Sequence, residues 1–121
     1  NFGCLNNYAY YLSETGKNLD KAEQMSYRTV QAEPDNCTYL DTYAWILFKQ
    51  KKYKDAQPYI DMAIKNGTTN SAVLLEHAGD IYYMNGDAGK ALEYWREALE
   101  NSDEENKVLI RKIKLKKYVE K

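Results

Sequence analysis

Apolar side chains recur along this chain with the periodicity of amphipathic helices, and the helices themselves recur. Leu5, Tyr8, Ala9 and Leu12 fall at i, i+3, i+4 and i+7, one face of a helix. Leu40, Tyr43, Ala44 and Leu47 repeat the set 35 residues later, and Leu75, Ala78, Gly79 and Tyr82 repeat it after another 35. A second helix follows each of these. Ala22, Ala56 and Ala91 align, as do Met25, Tyr59 and Tyr94, then Thr29, Ala63 and Ala98, then Val30, Ile64 and Leu99. Here the first step is 34 and the second 35, so the first unit holds one extra residue between its helices, within Glu14 to Asp20.

The small-residue columns have a packing reason. Ala9, Ala44 and Gly79 on the first helices face Ala22, Ala56 and Ala91 on the second. Small side chains there let two axes approach to the short end of the usual spacing of about 8–10 Å. The turns fit the same frame. Gly16 and Gly86 lie between the helices of units one and three, with Lys51-Lys52 in that place in unit two. Glu33-Pro34-Asp35-Asn36 closes unit one, because proline cannot continue a helix. Asn66-Gly67 closes unit two, where a left-handed glycine cap is expected. Ser71 and Asp87 are placed to cap the helices that follow them. Pro58 falls inside a predicted helix and implies a mild kink or a late start.

In this arrangement the units resemble the tetratricopeptide (TPR) family, whose 34-residue pattern is W-x2-L-G-x2-Y…A-x3-F…P. Unit three matches it best, with Leu75, Ala78-Gly79, Tyr82, Ala91, Trp95 in the Phe place, and Ala98. Unit two carries Leu40, Tyr43-Ala44, Leu47, Ala56, Ile60 and Ala63, but Thr68 where Pro is usual. Unit one carries Leu5, Tyr8-Ala9, Leu12, Ala22 and Pro34, and departs from the pattern at Ser26. The stretch from Leu5 to Ala22 looks like a variant common in bacterial TPR proteins. The resemblance implies an all-α fold: a right-handed α-solenoid of three helix–turn–helix units, at about 3–36, 37–70 and 72–105, making one domain. A C-terminal capping helix is expected at 105–120, with Leu109, Ile113 and Tyr118 covering the last unit.

The resemblance also implies a function, a scaffold that binds a peptide or partner segment in a concave groove lined by the first helix of each unit. The inward positions are Asn6, Tyr10 and Ser13, then Asp41, Trp45 and Phe48, then Glu76, Asp80 and Tyr83. Trp and Tyr give large, rigid contact area and are frequent binding hot spots. Asp41, Glu76 and Asp80 favour a ligand with basic residues. The competing reading is that Trp45 and Phe48 pack against a neighbouring helix or against an N-terminal part of a longer protein. Some TPR domains hold C-terminal carboxylates with a Lys/Asn/Arg clamp. The matching places here are Asn6, Tyr10, Thr42, Val73 and His77, with no Lys or Arg, which argues against that ligand.

Composition changes this picture in a few respects. Tyr is abundant, 12 residues against 2 Phe and 2 Trp, and suits surfaces buried on one side and wet on the other. Residues 106–121 carry seven Lys/Arg and one acid, while the rest of the chain holds 10 basic and 17 acidic side chains. An acidic body with a basic end can associate with itself or serve two partners. Solubility is the simpler reading of the basic helix, and no nucleic-acid partner is expected. Cys4 and Cys37 are too few for a disulfide framework and are expected in or near the core, with one disulfide open in an oxidising compartment.

No chemistry-bearing motif stands out. His77 is the single histidine, beside Glu76 and Asp80, with no nucleophile or oxyanion site to complete a triad. Cys and His lack zinc spacing, and no phosphate-binding loop or calcium loop is present. No enzyme, cofactor or metal is expected. The longest apolar run is far short of the roughly 20 residues of a membrane span. The chain opens on Asn1 inside a helical pattern, which reads as the C-terminal part of a longer protein. Cytoplasm and periplasm both remain open, as does an accessory or oligomerising array of a larger enzyme or envelope-anchored protein.

Overall fold

The computed structural model describes residues 2–67, 71–102 and 106–118. Among these it contains seven helices and no strand: α1 Phe2–Thr15, α2 Leu19–Ala32, α3 Cys37–Lys49, α4 Tyr53–Asn66, α5 Ala72–Met84, α6 Ala88–Glu100 and α7 Lys107–Leu115. The chain divides into two compact units, residues 1–67 and 68–121. The first holds α1 to α4 and the second α5 to α7.

In the first unit α1 packs on α2 and α3 on α4, and α3 also meets both α1 and α2. The alanine columns lie where the helices touch: Ala9, Ala22, Ala44 and Ala56 have no exposed surface. Ala9 and Ala22 join Leu12 and Ile46 in one apolar cluster, with Met25 packed against it. Leu40 and Ile60 are fully buried, and Leu5, the counterpart of Leu40, is half-buried. The tyrosines divide by position. Tyr43 is 7% exposed and its ring meets Tyr27 and, edge-on, Tyr59, with centroids 5.7 and 4.7 Å apart. Burial, and after it the charge of Glu23, pushes the Tyr43 hydroxyl up to about 12. Tyr8, at the same place in the first repeat, is exposed, as are Phe2 and Tyr11.

The turn within each helix pair shows how the repeat is enforced. Gly16, Lys51 and Gly86 stand 35 residues apart and all have positive φ, at 73°, 66° and 94°. The turn therefore needs a left-handed residue, and in the middle repeat a lysine supplies it against its steric preference. The extra residue of the first pair is absorbed by Asn18, a second left-handed residue at φ 56°. Asn36, Ser71 and Asp87 each accept a backbone N–H at the start of α3, α5 and α6.

Four local expectations are corrected. Gly67 is extended, at φ −82° and ψ 136°, so α4 ends without a left-handed cap. α4 starts at Tyr53 and runs through Pro58, so of the two outcomes expected at this proline the late start does not occur; the exposed ring sits on a helix whose other face supplies the buried Ala56, Ile60 and Ala63. The last helix spans 107–115, shorter than 105–120, because Lys116 turns left-handed at φ 57° and stops it; residues 105, 119 and 120 lie outside the described residues, as does Thr68. Cys4 is exposed and Cys37 partly so; neither lies in the buried core and the two are not joined in a disulfide. Cys4 lies one place ahead of Leu5, off the apolar face of α1.

Candidate functional site

The inward positions of the first repeats bring Asn6 and Tyr10 on α1 into the same unit as Asp41, Trp45 and Phe48 on α3. Their environments differ. Asn6 is 4% exposed, and among the described residues no donor reaches its Oδ1. Tyr10 is partly exposed and its hydroxyl donates to Glu14 Oε1 at 3.2 Å. Ser13 is buried and its hydroxyl turns back to the Tyr10 carbonyl at 2.5 Å. Asp41 is partly exposed. Trp45 and Phe48 are buried and stack face to face, with centroids 4.6 Å apart and planes 7° apart. The ring of Phe48 meets Tyr53 edge-on at 5.2 Å, and the Lys49 ammonium lies over the Trp45 ring at 5.1 Å. The structure thus places these two aromatics in a packed wall with little surface of their own. The accessible members of the set are Tyr10 and Asp41.

In the second unit the three inward residues of α5 take part in a polar cluster built from three helices. Asp80 is 1% exposed. Its Oδ1 accepts from Trp95 Nε1 at 3.0 Å, and Lys112 of α7 donates to its Oδ1 and Oδ2 at 2.8 and 3.0 Å. The same ammonium donates to Glu76 Oε2 at 2.7 Å, and Asn106, the residue that caps α7, donates to Glu76 Oε1 at 3.0 Å. Tyr83 lies against Trp95, with centroids 5.8 Å apart. Burial pushes the Asp80 carboxyl up to about 6, against the pull of the Lys112 ammonium and of His77 and with the added push of Glu76. Two of the three acids offered to a basic ligand are therefore already engaged by the chain's own lysine.

This cluster corrects the reading of the terminal helix. Lys112 is not part of a solvated basic face: it is 3% exposed, while Lys107, Arg111, Lys114, Lys116 and Lys117 remain exposed. The helical period carries the reason. Leu109, Lys112 and Ile113 fall at i, i+3 and i+4, so Lys112 shares the inward stripe with Leu109, which is fully buried, and Ile113, which is half-buried. Counting the charges hides this spacing. Tyr118 is half-buried, its ring under the Lys112 ammonium at 5.2 Å.

The geometry of Trp95 depends on Gly79. Trp95 is fully buried, and a Cβ on Gly79 would overlap its indole. The glycine thus brings the ring against α5, and the Asp80 carboxylate one residue on takes its N–H. His77 is buried on the same helix. Among the described residues no group of His, Cys, Asp and Glu is gathered to hold a metal ion, and no helix is long and apolar enough to cross a membrane.

Helix pairs at a 35-residue period, alanines at their contacts and left-handed turns between them define a TPR-type helical repeat. Comparison with solved structures agrees, and the chain has the TPR fold. It superposes on the first TPR domain of the human RPAP3 protein with a TM-score of 0.82 at 16% identity, over 95% of this chain and 88% of that one. The N-terminal domain of stress-induced protein-1 (STI-1) from C. elegans gives a TM-score of 0.65 at 18% identity, over 93% and 96%. No family model matches the sequence, and no curated protein matches it.

Proposed function

We propose that this chain is a non-enzymatic protein-interaction module that takes up a partner segment on the face formed by α1 and α3, the first helices of its first two repeats. Tyr10 and Asp41 are its accessible polar contacts, Asn6 is a buried polar group beneath that face, and the Trp45–Phe48 stack is its rigid wall. The observation that carries the reading is Asn6. A buried acceptor normally finds a donor, because leaving it unmade costs about 1–3 kcal/mol. Asn6 Oδ1 has none among the described residues. A partner's backbone N–H or basic side chain supplies one, and Asp41 adds charge that favours Lys or Arg.

The test uses a photo-crosslinking residue placed at Tyr10 or Asp41, with the exposed Arg28 of α2 as the control position. A partner crosslinks from positions 10 and 41 and not from 28. Equal crosslinking from all three would sink the face assignment. A second arm exploits the opposite signs of two effects. Asn6→Leu removes an unmet buried acceptor, so stability is unchanged or rises by about 1 kcal/mol. Capture of the crosslinked partner falls.

A further inference from the structure

We propose that Glu76 and Asp80 form a receptor site for a lysine side chain presented on a partner helix, and that α7 occupies this site in cis as a stand-in for that partner. The inference rests on the interaction-module reading and names the chemistry of a ligand. The lysine contact is complete: one ammonium reaches three carboxylate oxygens at 2.7, 2.8 and 3.0 Å, inside a site where Lys112 and Asp80 are both almost fully buried. One of the two acids has a partner outside α7. Asp80 is also held by the Trp95 indole, which packs directly on Gly79.

The occupant has the form of a ligand. α7 has nine residues, too few to be a stable helix on its own. It packs on α6 and reaches α5 through two polar side chains six residues apart, Asn106 on Glu76 and Lys112 on both acids, with the fully buried Leu109 midway between them. A helix with the spacing Leu-x-x-Lys, preceded by a polar residue three places earlier, would make the same contacts. A solvated capping helix needs no such pair, since well-packed apolar residues of similar volume serve at least as well as a buried ion pair. What a buried pair adds is selectivity for the side chain that completes it.

Two measurements on the full chain test this. A fluorescent peptide of residues 106–118 is titrated into the wild type and into Leu109→Ala/Lys112→Ala, which loosens the resident helix. Binding is tighter to the variant by on the order of tenfold, and a peptide with Met in place of Lys112 loses that gain. Equal binding to both chains, or equal binding of both peptides, overturns the proposal. Should the double variant fail to fold, Lys112→Ala keeps the Leu109 anchor. Its melting temperature rises with added n-butylammonium, whereas that of Lys112→Ala/Asp80→Asn does not. The same response in both rejects the receptor site. Crosslinking from Tyr10 and Asp41 is read separately, so failure of this site leaves the interaction reading standing, and the converse.

Discussion

At the scale of single residues the repeat is held by positions where one side-chain size or one backbone conformation is required. Gly79→Ala places a methyl group into the Trp95 indole. The ring cannot retreat without giving up its bond to Asp80. The substitution is expected to cost about 1–3 kcal/mol by overpacking, read by urea unfolding; a neutral result would show that the indole has room to move. Ala56→Leu, at a fully buried helix contact, should cost a similar amount. Lys51 is the reverse case. It occupies the left-handed position that glycine fills at 16 and 86, and a non-glycine residue there bears about 1–2 kcal/mol of strain. Lys51→Gly relieves the strain but loosens the unfolded chain by about 0.4–1 kcal/mol. A net gain of about 0.5–1 kcal/mol is expected, seen as a rise of a few degrees in thermal melting. A fall would mean that the strain is smaller than the entropy.

Whole helices show where the sequence was legible and where it was not. The repeat, the turns and the caps at Ser71 and Asp87 follow from spacing and local chemistry, because each depends on residues a few places apart. The fate of the inward acids does not. Glu76 and Asp80 lie on the groove stripe of α5 by every local rule, yet Lys112, more than thirty residues away, neutralises both. A tertiary contact of that kind is visible in sequence only as a lysine on an apolar stripe. Its energetics are testable by pH. Folding raises the Asp80 carboxyl to about 6, so the folded chain binds that proton more tightly than the unfolded chain. The contribution of Asp80 therefore favours folding below about pH 4 and is lost as pH rises through about 6. Without Lys112 the carboxylate is buried and unpaired, and its pKa rises further. Lys112→Met should thus cost about 3–5 kcal/mol near pH 8, with the gap from wild type shrinking on acidification through pH 6. A gap independent of pH would place the cost in packing rather than charge. Pro58 gives a second helix-level expectation: Pro58→Ala restores an α4 hydrogen bond at an exposed site and should raise stability.

For the whole molecule the consequence of this buried lysine is a matter of charge. The chain is nearly neutral at a net of −1, but its charges are segregated, with seven basic residues against one acid over residues 106–121 and 10 basic against 17 acidic residues elsewhere. Taking Lys112 inward leaves Lys107, Arg111, Lys114, Lys116 and Lys117 exposed at the C-terminal end, while Glu14, Glu33, Asp35, Glu93, Glu97 and Glu100 are among the exposed acids elsewhere. Unlike charges on separate copies attract across about 30 Å at 0.01 M salt and only about 8 Å at 0.15 M. The chain is therefore expected to self-associate weakly at low ionic strength and to separate as salt rises. Sedimentation velocity at the two salt concentrations measures this directly. Lys114→Glu with Lys117→Glu should abolish the low-salt association while leaving the helical signal intact, because both side chains are exposed and neither touches the Glu76–Asp80 site. Association that persists in the charge variant, or that strengthens with salt, would assign it to apolar surface such as the exposed Phe2, Tyr8 and Tyr11 instead.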